Sequence, residues 1–325
     1  MNISFIASSL KNFNSVFTEK IISDIKDNYN VLGFFDYNML LNLDLVDTVN
    51  LTDIIISTWN MPFIENENIE LLFPKLKALF YAGGDTSYFR KPFDDLNIKI
   101  FDAKDINSDF VADYIYGLIL IQSKSFLNTQ RIYKKPLYKY SYNRALDQVK
   151  SSGGNYNKSI GLIGIGSVGY KVLEKIQNKG FNIFIHDPYL DRKKLSNLNY
   201  TYVSMNDLFK LSDIISNHLP NIVETENLIN YDLINSMKNN VVFINTGREN
   251  QVDYPALMKF MKRNKFATAI LDVTKHEPVF PWSKILRRRN VYLTPHIAGA
   301  VFNEKFKIGN YIYLKVIEYE TGLKK

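Results

Sequence analysis

Apolar positions recur in short runs through the first third of the chain. Residues 3–7, 31–35, 53–57, 76–81 and 98–101 are rich in isoleucine, valine and aromatics, and each run predicts a strand. Stretches such as 19–27 and 69–72 lie between them with helical spacing. Strands alternating with helices predict a small α/β domain with a mainly parallel sheet. Asn107 or Ser108 is placed to cap a long helix from 109, on which Phe110, Val111, Tyr114, Ile115, Leu118, Ile119 and Ile121 make a wide apolar face. Such a helix is buried between domains or against a partner subunit. Residues 134–157 are polar and rich in lysine and tyrosine, with Ser151-Ser152-Gly153-Gly154 near the end. They predict an extended arm whose Tyr138, Tyr140, Tyr142 and Tyr156 suit a contact surface.

From 158 the alternation restarts. Runs at 160–165, 181–186, 200–203, 213–217, 241–245, 267–273 and 291–293 predict seven strands of a doubly wound sheet, with helices at 205–211, 228–237 and 254–262. A last amphipathic helix, 302–319, contains Gly309 and is expected to return to the first domain. The domains expected are therefore 1–106 with 300–325, interrupted by 107–299.

The clearest local signal is SIGLIGIGSVGYKVLEKIQNKGFNIFIHD, residues 159–187. Gly164, Gly166 and Gly169 have G-x-G-x-x-G spacing between a strand and a helix, and Asp187 ends the next strand roughly 20 residues on. Gly164 permits a tight turn, Gly166 lets a pyrophosphate approach the backbone, and Gly169 lets helix and strand pack closely. The helix start at Ser167 and Val168 offers unpaired N–H groups to the phosphates. A carboxylate at Asp187 accepts from the adenosine ribose hydroxyls and repels a 2′-phosphate, so the cofactor expected is NAD rather than NADP. Arg192, Lys193 and Lys194 just beyond read as a solvated helix start.

Composition narrows the rest. The 325 residues suit two domains, and 46% hydrophobic content suits a sizeable core. With no cysteine there are neither disulfides nor thiolate metal sites, and no metal is expected. The net charge of +7 comes from scattered lysine, and Arg287-Arg288-Arg289 reads as a solvated turn or the rim of an anion site, so no nucleic-acid partner is expected. The start of the chain lacks the pattern of a signal peptide, and the longest apolar run, 114–121, is too short to span a bilayer. A cytoplasmic protein with no membrane partner is expected.

Ligands of doubly wound sheets sit beyond the carboxyl ends of the strands. His218-Leu219-Pro220, Asn245-Thr246-Gly247-Arg248, the stretch Asp272 to Glu277, and Thr294-Pro295-His296 follow strand ends in the second half. Together they bring a guanidinium, a carboxylate and an imidazole to one crevice, a set suited to reducing a 2-keto acid or oxidising a 2-hydroxy acid. Arg248 has forked donors for a carboxylate and the adjacent carbonyl. His296 is the acid–base, and Glu277, hydrogen-bonded to it, would stabilise the imidazolium. Asp272 could bind the nicotinamide carboxamide. His218 would shape the nicotinamide pocket, His186 suits a structural or adenine-edge role, and His276 is the reserve acid–base. Taken singly, each of these residues has an ordinary structural reading as a salt-bridge partner, a satisfied histidine or a turn. The turn Ala82-Gly83-Gly84-Asp85-Thr86 after strand 76–81 reads equally as an anion site or a plain loop.

These motifs resemble the D-isomer-specific 2-hydroxyacid dehydrogenase family. The resemblance lies in GLIGIGSVG (161–169), HDP (186–188), HLPNIVET (218–225), VFINTGR (242–248), AILDVTKHEP (269–278) and LTPHIAGA (293–300), and more loosely in LKALFYAGG and INSDFVADYIYGLIL. It implies an α/β protein with a flavodoxin-like substrate domain and a doubly wound Rossmann NAD-binding domain. It implies catalytic Arg248, Glu277 and His296, and a cleft between domains built for the cofactor. The residues expected there are Gly164, Gly166, Ser167, Val168, Gly169, Asp187, His218, Pro220, Thr246, Gly247, Arg248, Asp272, His296 and Ala298. It further implies that Gly83 and Gly84 hold the substrate carboxylate and that a homodimer forms through the long helix. Three features depart from the family pattern: Glu249 follows the arginine where glycine is usual, Asp113 stands where glutamate is common, and the segment from Glu277 to His296 is short and carries Phe280 and Trp282. Two other readings compete: an NAD(H)-sensing binding protein or co-regulator on this fold, and an enzyme of this fold oxidising a small anion such as formate or phosphite.

Overall fold

The computed structural model describes residues 1–40, 45–152 and 154–323. Gly153 lies outside the described residues, as do the side chains of Arg192 and Lys194. The chain divides into two compact units, Met1–Ser108 with Ala300–Lys325, and Asp109–Gly299.

The first unit holds five strands: β1 (Asn2–Ile6), β2 (Asn30–Phe35), β3 (Ile54–Thr58), β4 (Ala78–Ala82) and β5 (Lys99–Asp102). All neighbours are parallel, in the order β2-β1-β3-β4-β5, the flavodoxin-like winding. β3 and β4 are buried along their whole length; β4 is apolar throughout, and β3 is apolar up to the buried Ser57 and Thr58 at its end. The last helix, Asn303–Leu323, packs against β4 and β5. Gly309 is needed there, because a Cβ would stand 2.2 Å from the carbonyl oxygen of Val16.

The second unit holds β6 (Ser159–Ile163), β7 (Asn182–His186), β8 (Thr201–Tyr202), β9 (Ile214–Asn217), β10 (Val242–Asn245), β11 (Thr268–Leu271) and β12 (Val291–Leu293). Their order is β12-β11-β10-β9-β6-β7-β8, all parallel. The winding reverses between β6 and β9, so the switch point lies where the glycine turn and His218 emerge. Apolar side chains from both faces fill two clusters, one around Ile160, Leu162 and Val172 and one around Phe243, Leu257 and Phe260.

Three expectations are corrected. Residues 134–157 are not an extended arm: Tyr138–Ser152 is a helix packed on the helix Phe126–Tyr133. Its buried positions, Ser141 and Ala145, are small and four apart, so the face shows no large apolar periodicity. The long helix runs Lys104–Ser123 and starts before Asn107 and Ser108. Neither caps it: the Asn107 side chain accepts from the Ala300 N–H at 3.0 Å, and Ser108 Oγ donates back to the Asp105 carbonyl at 2.6 Å. The helix expected over 228–237 is only Tyr231–Ser236, because Asn230 caps it by accepting from the N–H groups of Asp232 and Leu233. Among the described residues no helix is long and apolar enough to cross a membrane.

Candidate active site

Asp187, His218, Arg248, Asp272, Glu277 and His296 all follow the carboxyl ends of strands of the β6–β12 sheet. After β6 the chain turns at Gly164, whose φ is +79°. A Cβ there would stand 2.7 Å from the His218 carbonyl oxygen, and one at Gly169 would stand 2.1 Å from the Gly164 carbonyl oxygen. Gly166 is different: a Cβ would meet nothing within 4 Å. It precedes the helix Ser167–Ile176, whose first N–H groups face outward from the helix end. Asp187 follows β7, and its carboxylate accepts from the N–H groups of Ile165 at 2.7 Å and Tyr189 at 2.9 Å. The acid is thereby held beside the glycine turn. His186 takes a structural place: Nδ1 bonds the Val203 carbonyl at 2.9 Å and the ring lies against Tyr202.

His218 follows β9. The residue keeps some surface, but both ring nitrogens are buried and neither has a hydrogen-bond partner. Burial pushes its pKa down to about 3, so the ring is neutral, with one donor and one acceptor unmet. Such a site fits a dinucleotide: open space over Gly166, a helix N-terminus, and an unpartnered imidazole at the switch point.

Arg248 follows β10 in extended backbone and is half-buried, with Nη1 donating to the Gly247 carbonyl at 2.9 Å. Glu277 and His296 are exposed and face each other, Nδ1 to Oε2 at 3.1 Å. A carboxylate only accepts, so Nδ1 carries the proton and Nε2 is left for another group. The other Glu277 oxygen accepts from the Thr274 N–H at 3.0 Å, which fixes the carboxylate plane. His276 instead packs its ring on Phe280, which stacks on Trp282. The Tyr254 phenol donates to the Val273 carbonyl at 2.6 Å; burial first, then the nearby Glu249 and Glu277 carboxylates, raise its pKa.

Asp272 is buried at the end of β11, and three donors converge on it. Thr294 Oγ1 and the Ile297 N–H reach one oxygen at 2.6 and 2.8 Å, and the Ala298 N–H reaches the other at 2.8 Å. The His296 N–H also bonds the Asp272 carbonyl, and His296 itself has φ +55°. Asp272 is thus the anchor of the loop that presents the imidazole, and its second oxygen keeps room for one more donor.

Two buried amides, Asn217 and Gln251, carry no signal in the sequence, and a third, Asn245, was visible only as the start of the stretch that ends in Arg248. Asn217 ends β9, Asn245 ends β10, and Gln251 follows the arginine; all are fully buried and bonded to one another. The register of β9 against β10 sets Asn217 beside Asn245, and Gln251 joins them through its side chain. In the first unit, Gly83 and Gly84 follow β4. A Cβ at Gly83 would stand 2.6 Å from the Tyr81 ring, which explains that glycine sterically. Asp113 pairs with Lys175 at 2.8 Å, so the carboxylate in place of the family's glutamate is used on the helix surface. Two clefts of about 400 and 200 Å³ lie elsewhere, the first beside Phe101 and Tyr319, the second beside Gln122 and Lys158, and neither contains the residues above.

Residues 120–298 match the model of the D-isomer specific 2-hydroxyacid dehydrogenase NAD-binding domain. A D-3-phosphoglycerate dehydrogenase of Archaeoglobus fulgidus is 32% identical over 51% of this chain, though the match takes in only 32% of that protein. A hydroxypyruvate reductase of Thermotoga maritima is 30% identical over 70% of this chain and 71% of its own. Among solved structures, an acyclic imino acid reductase in complex with NADPH and D-Arg superposes with a TM-score of 0.76 at 26% identity, covering 100% of this chain and 98% of that one. A NAD-binding Rossmann unit of this kind places the chain in the D-isomer-specific 2-hydroxyacid dehydrogenase family of NAD-dependent oxidoreductases.

Proposed function

We propose that the chain interconverts a small 2-keto acid and its 2-hydroxy acid, with residues 107–299 as the dinucleotide-binding domain and 1–106 with 300–325 as the substrate domain. The His296–Glu277 pair, 3.1 Å apart with Nε2 left over, carries this reading. NAD(H) supplies the hydride acceptor or donor when bound. Its holders would be Gly164, Gly166, Ser167, Val168 and Gly169 at the pyrophosphate, Asp187 at the ribose, and His218, Pro220, Thr246, Gly247, Asp272 and Ala298 toward the nicotinamide. Arg248 presents its forked donors to the substrate carboxylate and carbonyl. His296 Nε2 gives a proton to the carbonyl oxygen in reduction and takes the hydroxyl proton in oxidation, while Glu277 fixes the ring. The backbone at Gly83 and Gly84 holds the substrate carboxylate. Glyoxylate, hydroxypyruvate and other small 2-keto acids form the panel of choice, offered with NADH while the nicotinamide absorbance is followed. Turnover of at least one is expected; tight NADH binding with no turnover would support the sensor reading instead.

The protein is further proposed to act as a homodimer. Exposed Ile121, Phe126, Tyr133, Leu137, Tyr138 and Tyr142, all within residues 121–142, support this reading. Light scattering should give about twice the 37.7 kDa of one chain.

A further inference from the structure

We infer that Gln251 is a positioning residue that fixes Arg248 and ties its loop to the loop of His218, an inference that rests on the substrate role proposed for Arg248. Asn217, Asn245 and Gln251 are each fully buried; Asn245 lies inside the VFINTGR stretch, whereas Asn217 and Gln251 lie outside the stretches that carry the family resemblance. Gln251 Oε1 accepts from the Arg248 N–H at 3.1 Å and from Asn217 Nδ2 at 2.8 Å. Gln251 Nε2 donates to the Pro220 carbonyl at 2.7 Å and the Leu219 carbonyl at 3.2 Å. Asn217 Nδ2 also reaches Asn245 Oδ1 at 3.0 Å, and Asn217 Oδ1 accepts from the Leu219 N–H at 3.2 Å. Asn245 closes the set: Oδ1 accepts from the Gly247 N–H at 3.1 Å, and Nδ2 donates to the Arg248 carbonyl at 3.3 Å.

One carboxamide therefore holds backbone from both sides of the β9–β10 pair. On one side are Leu219 and Pro220, beside His218; on the other is Arg248. Gly247 fits only because it has no side chain, since a Cβ would stand 2.7 Å from Gln251 Oε1 and 2.9 Å from Asn217 Nδ2. An apolar side chain at 251 would fill the space yet leave buried donors and acceptors of both loops unmet. A polar network that is fully satisfied holds a single arrangement, which a guanidinium must have to meet a planar carboxylate with two donors. The guanidinium is placed by its backbone, and its backbone is placed by Gln251.

The test replaces Gln251 by methionine, close in length and without hydrogen bonds, in the full chain with NADH bound. Oxamate, an unreactive isostere of a 2-keto acid, serves as the probe and is titrated by fluorescence. Amide hydrogen exchange is followed over 217–221 and 245–252. Gln251→Met should weaken oxamate at least tenfold and speed exchange in both segments, with exchange elsewhere as in the parent. Arg248→Lys alone should weaken oxamate similarly, and the double variant should bind no more than about twofold worse than Arg248→Lys, because both act through one contact. Additive losses, or oxamate affinity unchanged in folded Gln251→Met, would overturn the inference. Should the parent neither bind oxamate nor turn over any keto acid, the proposed activity fails. The exchange measurement then still decides whether Gln251 holds the two loops, and unchanged exchange there overturns that as well.

Discussion

His296 can be isolated from everything that only builds the site. Its imidazole is exposed and bonded only through Nδ1, so its removal leaves the Asp272 anchor and the glycine turn intact. His296→Ala should lower turnover by about 10²–10⁴-fold. NADH affinity, measured by fluorescence, should stay within about twofold, because no phosphate or ribose contact is touched. Retained turnover would mean that the proton comes from elsewhere, with His276 the next residue to test. The placing of Arg248, Glu277 and His296 after strand ends was legible in the sequence, because each stands in a stretch with a recognisable pattern. That of Gln251 and Asn217 was not. A glutamine in a turn and an asparagine at a strand end look solvated until the register of β9 against β10 puts them in one buried space.

The glycine turn after β6 separates two kinds of requirement that look identical as letters. At Gly166 a methyl would project into open space from backbone any residue can adopt, φ −75° and ψ −161°. At Gly169 the same methyl would sit 2.1 Å from the Gly164 carbonyl oxygen. Gly166→Ala should therefore fold with a melting temperature within about 2 °C of the parent yet bind NADH at least tenfold more weakly, the methyl standing where the pyrophosphate must come close. Gly169→Ala should lose about 1–3 kcal/mol or more of stability, because helix and turn must move apart. Calorimetry with and without NADH checks both; equal losses of stability would refute the distinction. The strand–turn–helix unit was legible because its apolar run, its glycines and its acid all point the same way. The helix Tyr138–Ser152 was not legible, because its inward face is Ser141 and Ala145, too small to register as an apolar stripe. The Asp272 loop adds a second case. Asp272→Ala leaves Thr294 Oγ1 and the N–H groups of Ile297 and Ala298 without an acceptor. It should cost about 3 kcal/mol or more and lower turnover as well, since the same loop carries His296.

At the scale of the whole chain, the two parallel sheets and the order of their elements were legible. Alternating strands and helices leave few other windings. Hydrogen-bond closure was not legible, and it sets the most informative stability experiment. His218 has both ring nitrogens buried without partners, and burial pushes its pKa down to about 3 from an ordinary 6.5. Between those values the unfolded chain binds a proton that the folded chain refuses, so stability rises with pH there. This contribution is fully present above pH 6.5 and is lost as pH falls toward 3, at up to about 1.4 kcal/mol per pH unit. Other groups also titrate in acid, so the parent's curve alone decides nothing. His218→Leu removes the imidazole and both unmet nitrogens while keeping bulk, and should be as stable as the parent, or more so, at pH 7.5. The two units need not unfold together, so the probe must belong to the right one. The chain has two tryptophans, Trp59 in the first unit and Trp282 in the second. In a Trp59→Phe background, Trp282 fluorescence during urea titration at pH 7.5, 6, 5 and 4 reports the unit that contains His218. The stability gap between His218→Leu and the parent should widen steadily below pH 6.5, and parallel curves would show that the buried imidazole is protonated in place or finds a partner.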